Sequence, residues 1–207
     1  MEVFWIMNNN IILFTNAKDK GGNVMCKILK NIQNLSAIEL LSKYNISTEP
    51  PIDIGRLLDN IGIKSFGTNF DTVEKNSGYE QDTILGATII DGEEVIIFYR
   101  EKDSMNRKRF TIAHELAHCC NDSDTLKNDH IELRTNEIVL SGKEYDANIF
   151  ASELLIPTNS LLHIYNKLLI PSLSVLASIF DVSSNVMAKR LDHLKLPFLK
   201  DANIDES

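Results

Sequence analysis

The sequence predicts an α+β fold. Two apolar, β-branched runs at residues 84–90 and 95–99 flank Asp91-Gly92, and this arrangement is a strong signal for a β-hairpin. From about Ser104 onward, apolar residues recur at three- and four-residue spacing, which is typical of amphipathic helices. The length of 207 residues suits one sizeable domain, or one domain with a small appendage. We therefore expect a small antiparallel sheet followed by helices.

The first part of the chain carries weaker signals. Residues 1–14 are apolar in two short pieces divided by asparagines, and they predict either an edge strand or a stretch outside the main fold. Residues 15–34 contain Gly21-Gly22 and many polar side chains, which is typical of a connector. We therefore assign residues 1–34 to an N-terminal extension of unknown role.

Two short helices are expected next. Ser36 and Glu39 have the spacing of a capping box, which predicts a helix from there to about Tyr44. A second apolar pattern ends at Gly62, a residue that commonly terminates helices. The polar segment 68–82 then predicts a loop that leads into the hairpin.

The chain beyond the hairpin is predicted to be helical. The pattern that begins near Ser104 continues to about Cys120, and a polar stretch at 121–142 follows it. The apolar stripe of a second helix covers 144–155 and stops before a proline. Two or three further helices are expected within 158–196.

Composition excludes several classes of protein. Acidic residues number 29 against 21 basic ones, and the net charge of −8 argues against non-specific binding to nucleic acid or anionic membranes. The three cysteines are odd in number and two are adjacent, so no disulfide framework is implied and a reducing compartment is expected. The apolar pieces near the N-terminus are too short to span a bilayer and lack the marks of a secretory signal. We therefore expect a soluble cytoplasmic protein.

One short segment, HELAH at residues 114–118, carries chemistry. His114 and His118 lie on one face of the predicted helix, about one turn apart, so both imidazoles can bind one tetrahedral zinc ion. Glu115 is rotated by roughly 100° from His114, which places it beside the metal but not on it. A general base must sit there to take a proton from the attacking water. The spacing therefore predicts a zinc site with Glu115 as the catalytic base.

A catalytic zinc needs a third protein ligand and leaves its fourth position to water. Glu144 is the best candidate because it opens the second helix, where small residues on its face, Ala147 and Ala151, allow close approach. Asn148, one turn farther on, is placed to hydrogen-bond a ligand histidine. Asp146 and Glu137 are the main rivals for the third ligand, and the other candidates are Glu132, Glu153 and His130.

Two segments together resemble the ImmA/IrrE family of metallopeptidases. The run RFTIAHELAH at residues 109–118 looks like the signature of that family. The run EYDANIFASELLIP at 144–157 is similar to its E-x-x-A-N-x-F-A-x-x-L-L-x-P segment. The likeness covers roughly residues 35–196. The motif H-E-x-x-H alone is shared by many unrelated peptidases, whereas the two runs together are far more specific.

The resemblance implies a zincin-like minimal peptidase domain at 35–157, with a small antiparallel sheet, a zinc helix and a Glu-bearing helix. The spacing within 171–196 favours a helix-turn-helix-like helical subdomain at 158–197, and we expect a disordered acidic tail at 198–207. Members of the family are zinc-dependent endopeptidases that cut a helix-turn-helix repressor and so release mobile-element or stress-response genes. Carried over to this chain, His114, His118 and Glu144 would hold Zn²⁺, with Mn²⁺ as an alternative, and Glu115 would activate water.

Two other functions remain open from the sequence. The first is a non-catalytic partner of a repressor or antitoxin, with a structural or vestigial metal site. The second is a DNA-binding regulator that acts through 171–196, which has helix-turn-helix spacing. Reading DNA needs basic and amide side chains on the second helix, and Asn185, Lys189 and Arg190 supply few of them. Direct DNA binding is therefore not expected.

Several other residues give less specific predictions. Arg107, Lys108 and Arg109 predict a solvated basic patch, with a salt bridge from Arg109 as the alternative. Cys119 and Cys120 are expected to be buried small apolar residues and not metal ligands. The candidates for stabilising the negative charge that develops during peptide hydrolysis are Tyr99, Tyr145, His130 and Arg134.

Overall fold

The structure is a computed structural model, and it describes residues 3–7, 10–14, 26–122, 130–135 and 142–200. Within those ranges the elements are, in chain order, β1 (Val3–Met7), β2 (Asn10–Phe14), α1 (Lys27–Ile32), α2 (Ala37–Lys43), α3 (Ile54–Ile61), β3 (Lys64–Thr68), α4 (Asp71–Ser77), β4 (Ile84–Asp91), β5 (Glu94–Arg100), α5 (Met105–Asn121), β6 (His130–Thr135), α6 (Gly142–Leu155), α7 (Thr158–Tyr165), α8 (Leu173–Phe180) and α9 (Ser184–His193). The α+β class is confirmed. The predicted tail lies outside the described residues from 201 onward.

The main sheet has four strands in the order β3-β5-β4-β6. Strands β4 and β5 form the predicted antiparallel hairpin, and β6 lies antiparallel on the other side of β4. Strand β3 is parallel to β5, so the sheet is mixed and the prediction of a purely antiparallel sheet is wrong. Most of β3 is exposed, and it therefore shows no alternating apolar pattern in the sequence.

The N-terminal segment contributes two kinds of structure. Strands β1 and β2 pair with each other in a separate two-stranded sheet. Helix α1 falls in the part of the chain predicted to be a connector, and that prediction is wrong for residues 27–32. The side chains of Leu29 and Ile32 are fully buried in the main core, so packing of its apolar face stabilises this short helix.

Local signals define the two short helices and the hairpin turn. The Ser36 hydroxyl accepts a hydrogen bond from the Glu39 amide, and the Glu39 carboxylate accepts one from the Ser36 amide, so the predicted capping box is confirmed. Gly62 ends α3 with a φ of 92°, in the left-handed region that glycine favours. Gly92 has a φ of 56° in the hairpin turn, as a two-residue turn requires.

Helix α4 lies where a loop was expected at 68–82, and a buried ion pair accounts for it. The Glu74 side chain is 2% exposed and pairs with the guanidinium of Arg100, which is 3% exposed. Glu74 also accepts hydrogen bonds from the backbone amides of Asp82 and Ile84, at 3.1 and 2.8 Å. The residue that α4 buries most deeply is therefore charged, and an apolar periodicity in the sequence does not reveal such a helix.

One apolar core joins the sheet to the helices. Helix α5 lies at its centre and contacts α6 and both strands of the hairpin. The same core contains Leu154 of α6, Phe180 of α8 and Leu191 of α9, so it crosses the predicted boundary between 157 and 158. That domain boundary stays a prediction. In the part of the chain that the structure describes, no helix has the length and apolar character needed to cross a membrane.

Two arginines tie the C-terminal helices to the rest of the molecule. Arg109 of α5 donates to the backbone oxygen of Ile52 at 3.0 Å, and its Nε lies 3.2 Å from an Asp181 carboxylate oxygen. Arg109 is therefore not part of a solvated patch, and the alternative of a salt bridge is correct. Burial lowers the pKa of Arg109, while Asp181 and Asp53 oppose that shift. Arg190 of α9 is 3% exposed and donates to the Ile156 backbone oxygen at 3.3 Å.

Replacing Arg100 with methionine should destabilise the protein strongly. The Arg100→Met variant leaves the buried Glu74 carboxylate uncompensated, and breaking a buried pair in this way costs about 3–5 kcal/mol in the free energy of unfolding. Lys64→Met is the matched control, because Lys64 pairs with Glu94 at the surface and such pairs contribute about 0–1 kcal/mol. Urea unfolding of both variants measures the difference. Equal losses would contradict the structural importance of the Glu74–Arg100 pair.

Candidate metal centre

Helix α5 carries the first two candidate ligands. Ser104 caps its N-terminus by accepting a hydrogen bond from the Arg107 amide at 3.4 Å. The helix then runs through Asn121, so His114 and His118 stand one turn apart on one face. His114 is completely buried and His118 is 3% exposed. The sequence expectation of a single helix over this motif is met.

Helix α6 brings the third candidate ligand to them. The Nε2 atoms of His114 and His118 lie 3.1 Å apart. One carboxylate oxygen of Glu144 lies 3.1 Å from the His114 Nε2 atom, and the other lies 3.2 Å from the His118 Nε2 atom. Glu144 belongs to the first turn of α6, and its side chain is 33% exposed. Solvent therefore reaches the three-residue cluster from the side of Glu144.

Neighbouring side chains set the protonation of both imidazoles. The Nδ1 atom of His114 lies 3.1 Å from the Asn148 amide oxygen, which only accepts, so Nδ1 is the donor. The Nδ1 atom of His118 donates in the same way to the Asp122 carboxylate at 2.9 Å. In the neutral imidazole the proton then sits on Nδ1, and each Nε2 presents a lone pair toward the other ring and Glu144.

The chemistry of this donor set fits a divalent metal ion. Two lone pairs and a carboxylate repel one another when they converge, unless a cation lies among them. The separations of 3.1 and 3.2 Å are close to the edge of a tetrahedron with bonds of about 2.0–2.1 Å, which is about 3.3 Å. Among the described residues, this is the group of His, Cys, Asp and Glu side chains compact enough to hold a metal. This group contains no cysteine sulfur, which would be a softer ligand.

Asp122 is a residue of the site that the sequence reading missed. One of its oxygens accepts from His118, and the other lies 2.8 Å from the Lys143 ammonium group beside Glu144. Burial tends to raise the pKa of Asp122, but hydrogen bonds from Lys143 and His118 outweigh it and keep that pKa below its usual range. A signal was present, since Asp122 follows His118 by four residues and so lies on the same helix face.

Glu115 occupies a different position from the ligands. It is completely buried, and its Oε2 atom accepts a hydrogen bond from the Thr88 hydroxyl of β4 at 2.7 Å. A Cβ atom at Gly86 would lie 2.6 Å from the Thr111 methyl carbon and 3.0 Å from the Glu115 Oε1 atom. Gly86 therefore lets the helix approach the strand closely. In the sequence, the signal for this contact was the presence of Gly86 and the Thr88 hydroxyl within an otherwise apolar strand.

The remaining predicted candidates fall elsewhere or outside the described residues. Asp146 is exposed on α6, and Glu153 lies 3.2 Å from the Arg190 guanidinium group. Tyr145 is 62% exposed, and the Tyr99 ring lies 5.9 Å from the Lys108 ammonium group. Side-chain positions or whole residues lie outside the described part for His130, Glu132, Arg134 and Glu137.

The adjacent cysteines lie next to the cluster in sequence but do not join it. Cys119 and Cys120 are both fully buried, and the predicted apolar role agrees with that. Burial raises the pKa of the Cys120 thiol to about 12, so this thiol stays protonated at neutral pH and is a poor metal ligand.

The α+β fold and the His/His/Glu cluster are compatible with a metallopeptidase. The model of the IrrE N-terminal-like domain, a peptidase family named Peptidase_M78, matches residues 73–192. That match covers more than half of the chain and includes His114, His118 and Glu144. The protein therefore belongs to the ImmA/IrrE family, whose character supports a peptidase activity in general. No curated protein is similar enough to the chain to count as a relative.

Adding a methyl group at Gly86 should disturb the contact between β4 and α5. We expect Gly86→Ala to lower the free energy of unfolding by about 1–3 kcal/mol, because its Cβ would overlap the Thr111 methyl group. Thr111→Ser removes that methyl group, so the double variant should recover part of the loss. Thermal and urea unfolding measure both effects. A Gly86→Ala variant as stable as the wild type would contradict the close approach.

A change at Asp122 should weaken metal binding. Asp122→Asn weakens the hydrogen bond that orients His118 and removes the partner of Lys143, and losses of this kind reduce metal affinity by about 10–100-fold. The matched control is Asp146→Asn, an exposed aspartate on α6. Competition with a zinc chelator of known affinity measures the change. Equal zinc affinity of the two variants would contradict the role given to Asp122.

Proposed function

We propose that the protein is a zinc-dependent endopeptidase that cleaves a helix-turn-helix, Xre-like transcriptional repressor. The observation that carries the proposal is Glu115, a completely buried carboxylate directly beside the candidate ligand His114. Burying a carboxylate is costly, and a purely structural metal site has no use for one at this position. A general base for peptide hydrolysis does need that placement.

The proposal includes the finer features of the fold. Helix α5 packs on the β4–β5 hairpin, and α6 supplies Glu144 from behind it, which supports a zincin-like arrangement. The pair α8 and α9, joined through Asp181 in the left-handed conformation, supports a helix-turn-helix-like end. On this reading His114, His118 and Glu144 hold the metal, and Asn148 and Asp122 orient the two imidazoles.

Zn²⁺ is the metal that this donor set suits best, with Mn²⁺ as the alternative. When bound, the metal polarises the scissile carbonyl and acidifies the attacking water. Glu115 accepts a proton from that water and passes it to the leaving amine. The neutral imidazoles of His114 and His118 keep their Nε2 lone pairs on the cluster, because Nδ1 of each ring donates elsewhere.

Charge supports a basic protein substrate. The chain carries a net charge of −8, and a repressor that binds DNA presents a basic surface, so the two attract each other over a distance. A folded domain fits poorly into a cleft, and we therefore propose that the cut falls in an exposed linker of the repressor. Release of mobile-element or stress-response genes would follow.

Direct reading of DNA has less support. The guanidinium group of Arg190 is buried and donates to Thr158 at 2.8 Å, so it faces the protein interior. Asn185 and Lys189 are exposed on α9, and they are few for a recognition helix. The alternative is a non-catalytic partner of a repressor or antitoxin, with a structural or vestigial metal site. Such a protein would not need Glu115, and experiment distinguishes it from the peptidase.

Where an open reading frame beside this gene encodes a helix-turn-helix protein, that protein is the substrate for the test. We expect the zinc-loaded wild type to cut it at one position, and Glu115→Gln to lower the rate by about 10²–10⁴-fold because the base is lost. Glu94→Gln, at an exposed site on β5, is the control and should cut at the wild-type rate. Gel electrophoresis and mass spectrometry follow the products, and metal analysis confirms equal zinc content.

Two results would contradict the proposal. Cleavage that persists in Glu115→Gln would exclude the proposed base. A wild type that binds the repressor tightly without cutting it would favour the non-catalytic alternative.

A further inference from the structure

We infer that Thr88 is a positioning residue for Glu115, and that its hydroxyl holds the carboxylate in the orientation a general base needs. The inference deepens the proposed function and rests on it, because it gives Thr88 a purpose only if Glu115 takes a proton. Three features hold the carboxylate: a short hydrogen bond, the rigidity of the strand that supplies it, and the absence of a side chain at Gly86.

The hydrogen bond itself is buried and short. The Thr88 hydroxyl donates to the Glu115 Oε2 atom at 2.7 Å, where Thr88 is 1% exposed and Glu115 is completely buried. Hydroxyl-to-carboxylate bonds of this length are charge-assisted and roughly twice as strong as neutral ones. A threonine hydroxyl has one proton to donate, so this contact uses it fully. The bond therefore restrains one oxygen of the carboxylate.

The donor sits on an anchored part of the sheet. Thr88 lies in the middle of β4, opposite Ile97 of β5 on one side and opposite Glu132 of β6 on the other. Backbone ladders on both sides prevent the strand from shifting relative to its neighbours. A hydroxyl held in this way is a fixed reference for the helix that carries Glu115, which a loop residue would not provide.

The second carboxylate oxygen is restrained by packing. Gly86 lies two residues before Thr88 and so faces the same side of the strand. Glu115 Oε1 occupies the volume that a side chain at position 86 would need, since an added Cβ would lie 3.0 Å from it. The strand therefore bonds one oxygen and leaves a close-fitting space for the other, which together define the plane of the carboxylate.

The hydroxyl is not needed to fill space. Valine has nearly the shape of threonine, and the neighbours of Thr88 along the strand, Ile89 and Ile90, are apolar and buried. An apolar residue at position 88 would pack well in this core if the facing helix carried no charge. The hydroxyl is therefore explained by its hydrogen bond to the Glu115 carboxylate. Displacing a catalytic carboxylate by about 1 Å lowers the reaction rate on the order of 10²-fold.

The experiment compares four variants of the full chain. Thr88→Val removes the hydroxyl and keeps the shape, whereas Thr88→Ser keeps the hydroxyl and loses a methyl group. Thr88→Ala differs from the serine variant by the oxygen alone, so this pair remains informative if Thr88→Val does not fold. Thr83→Val is the matched control, because Thr83 is a buried threonine just before β4 and no described hydrogen bond joins its side chain to Glu115.

The first readout is the rate of repressor cleavage at equal zinc content. We expect Thr88→Val and Thr88→Ala to lower kcat by about 10–100-fold with KM changed less than about twofold, because the loss falls on the chemical step. Thr88→Ser should retain most of the activity, and Thr83→Val should match the wild type. Wild-type kcat in both Thr88→Val and Thr88→Ala would overturn the inference. So would a serine variant as slow as the alanine variant.

The second readout needs no activity. Thr88→Val should lower the urea midpoint in the wild-type background, because the buried carboxylate loses its donor. In a Glu115→Met background the same change should leave the midpoint unchanged or raise it, since an unpaired hydroxyl is then removed. Equal shifts in both backgrounds would overturn the contact and the inference with it. A coupled pair in a wild type that never cuts the repressor would instead overturn the proposed function, and with it the catalytic purpose of Thr88.

Discussion

The structure depends on one constraint: α5 lies in the centre of the core while it carries polar and charged side chains. Its residues from Thr111 to Cys120 are all buried, so none of these groups can rely on solvent. An unpaired polar group in such a place costs several kcal/mol, and a charged one costs more. The surrounding elements therefore have to present partners at fixed positions, and the arrangement of β4 and α6 around the helix follows from that need.

Each partner comes from a different element. Strand β4 supplies the Thr88 hydroxyl for Glu115, α6 supplies the Asn148 amide for His114, and the end of α5 itself supplies Asp122 for His118. The contacts fix both the tautomers of the imidazoles and the orientation of the carboxylate. The fold itself therefore orients these side chains, and such outer contacts are what metal binding and catalysis generally use to avoid the cost of reorganisation.

Three arginines, two of them buried and Arg109 half-buried, have a comparable function away from the site. Arg100 holds α4 and the start of β4, Arg109 links α5 to Asp181, and Arg190 joins α9 to the end of α6. Each guanidinium group donates to at least one backbone oxygen, and its fork of donors suits a segment with no regular partner. The helices at the C-terminal end are therefore joined to the peptidase-like part by polar contacts as well as by the apolar core.

Much of the fold followed from local sequence. The hairpin, the capping box at Ser36 and the glycine end of α3 are decided within a few residues. The last two are where the sequence places them, and the hairpin turn is at Gly92-Glu93, one residue later than predicted. Strand β3 and helix α4 were missed because their stability comes from distant partners. Strand β3 is stabilised by its pairing with β5, and helix α4 by the ion pair between Glu74 and Arg100.

The candidate site shows the same division. The sequence alone determined that two histidines and a glutamate share one helix, because the period of a helix sets their spacing. It also favoured Glu144 over its rivals. Only the tertiary structure decided which groups of other elements meet those side chains, and Thr88 and Gly86 entered in this way. The physical reason is that a hydrogen bond between distant segments depends on how strands and helices pack, and packing is a property of the whole chain.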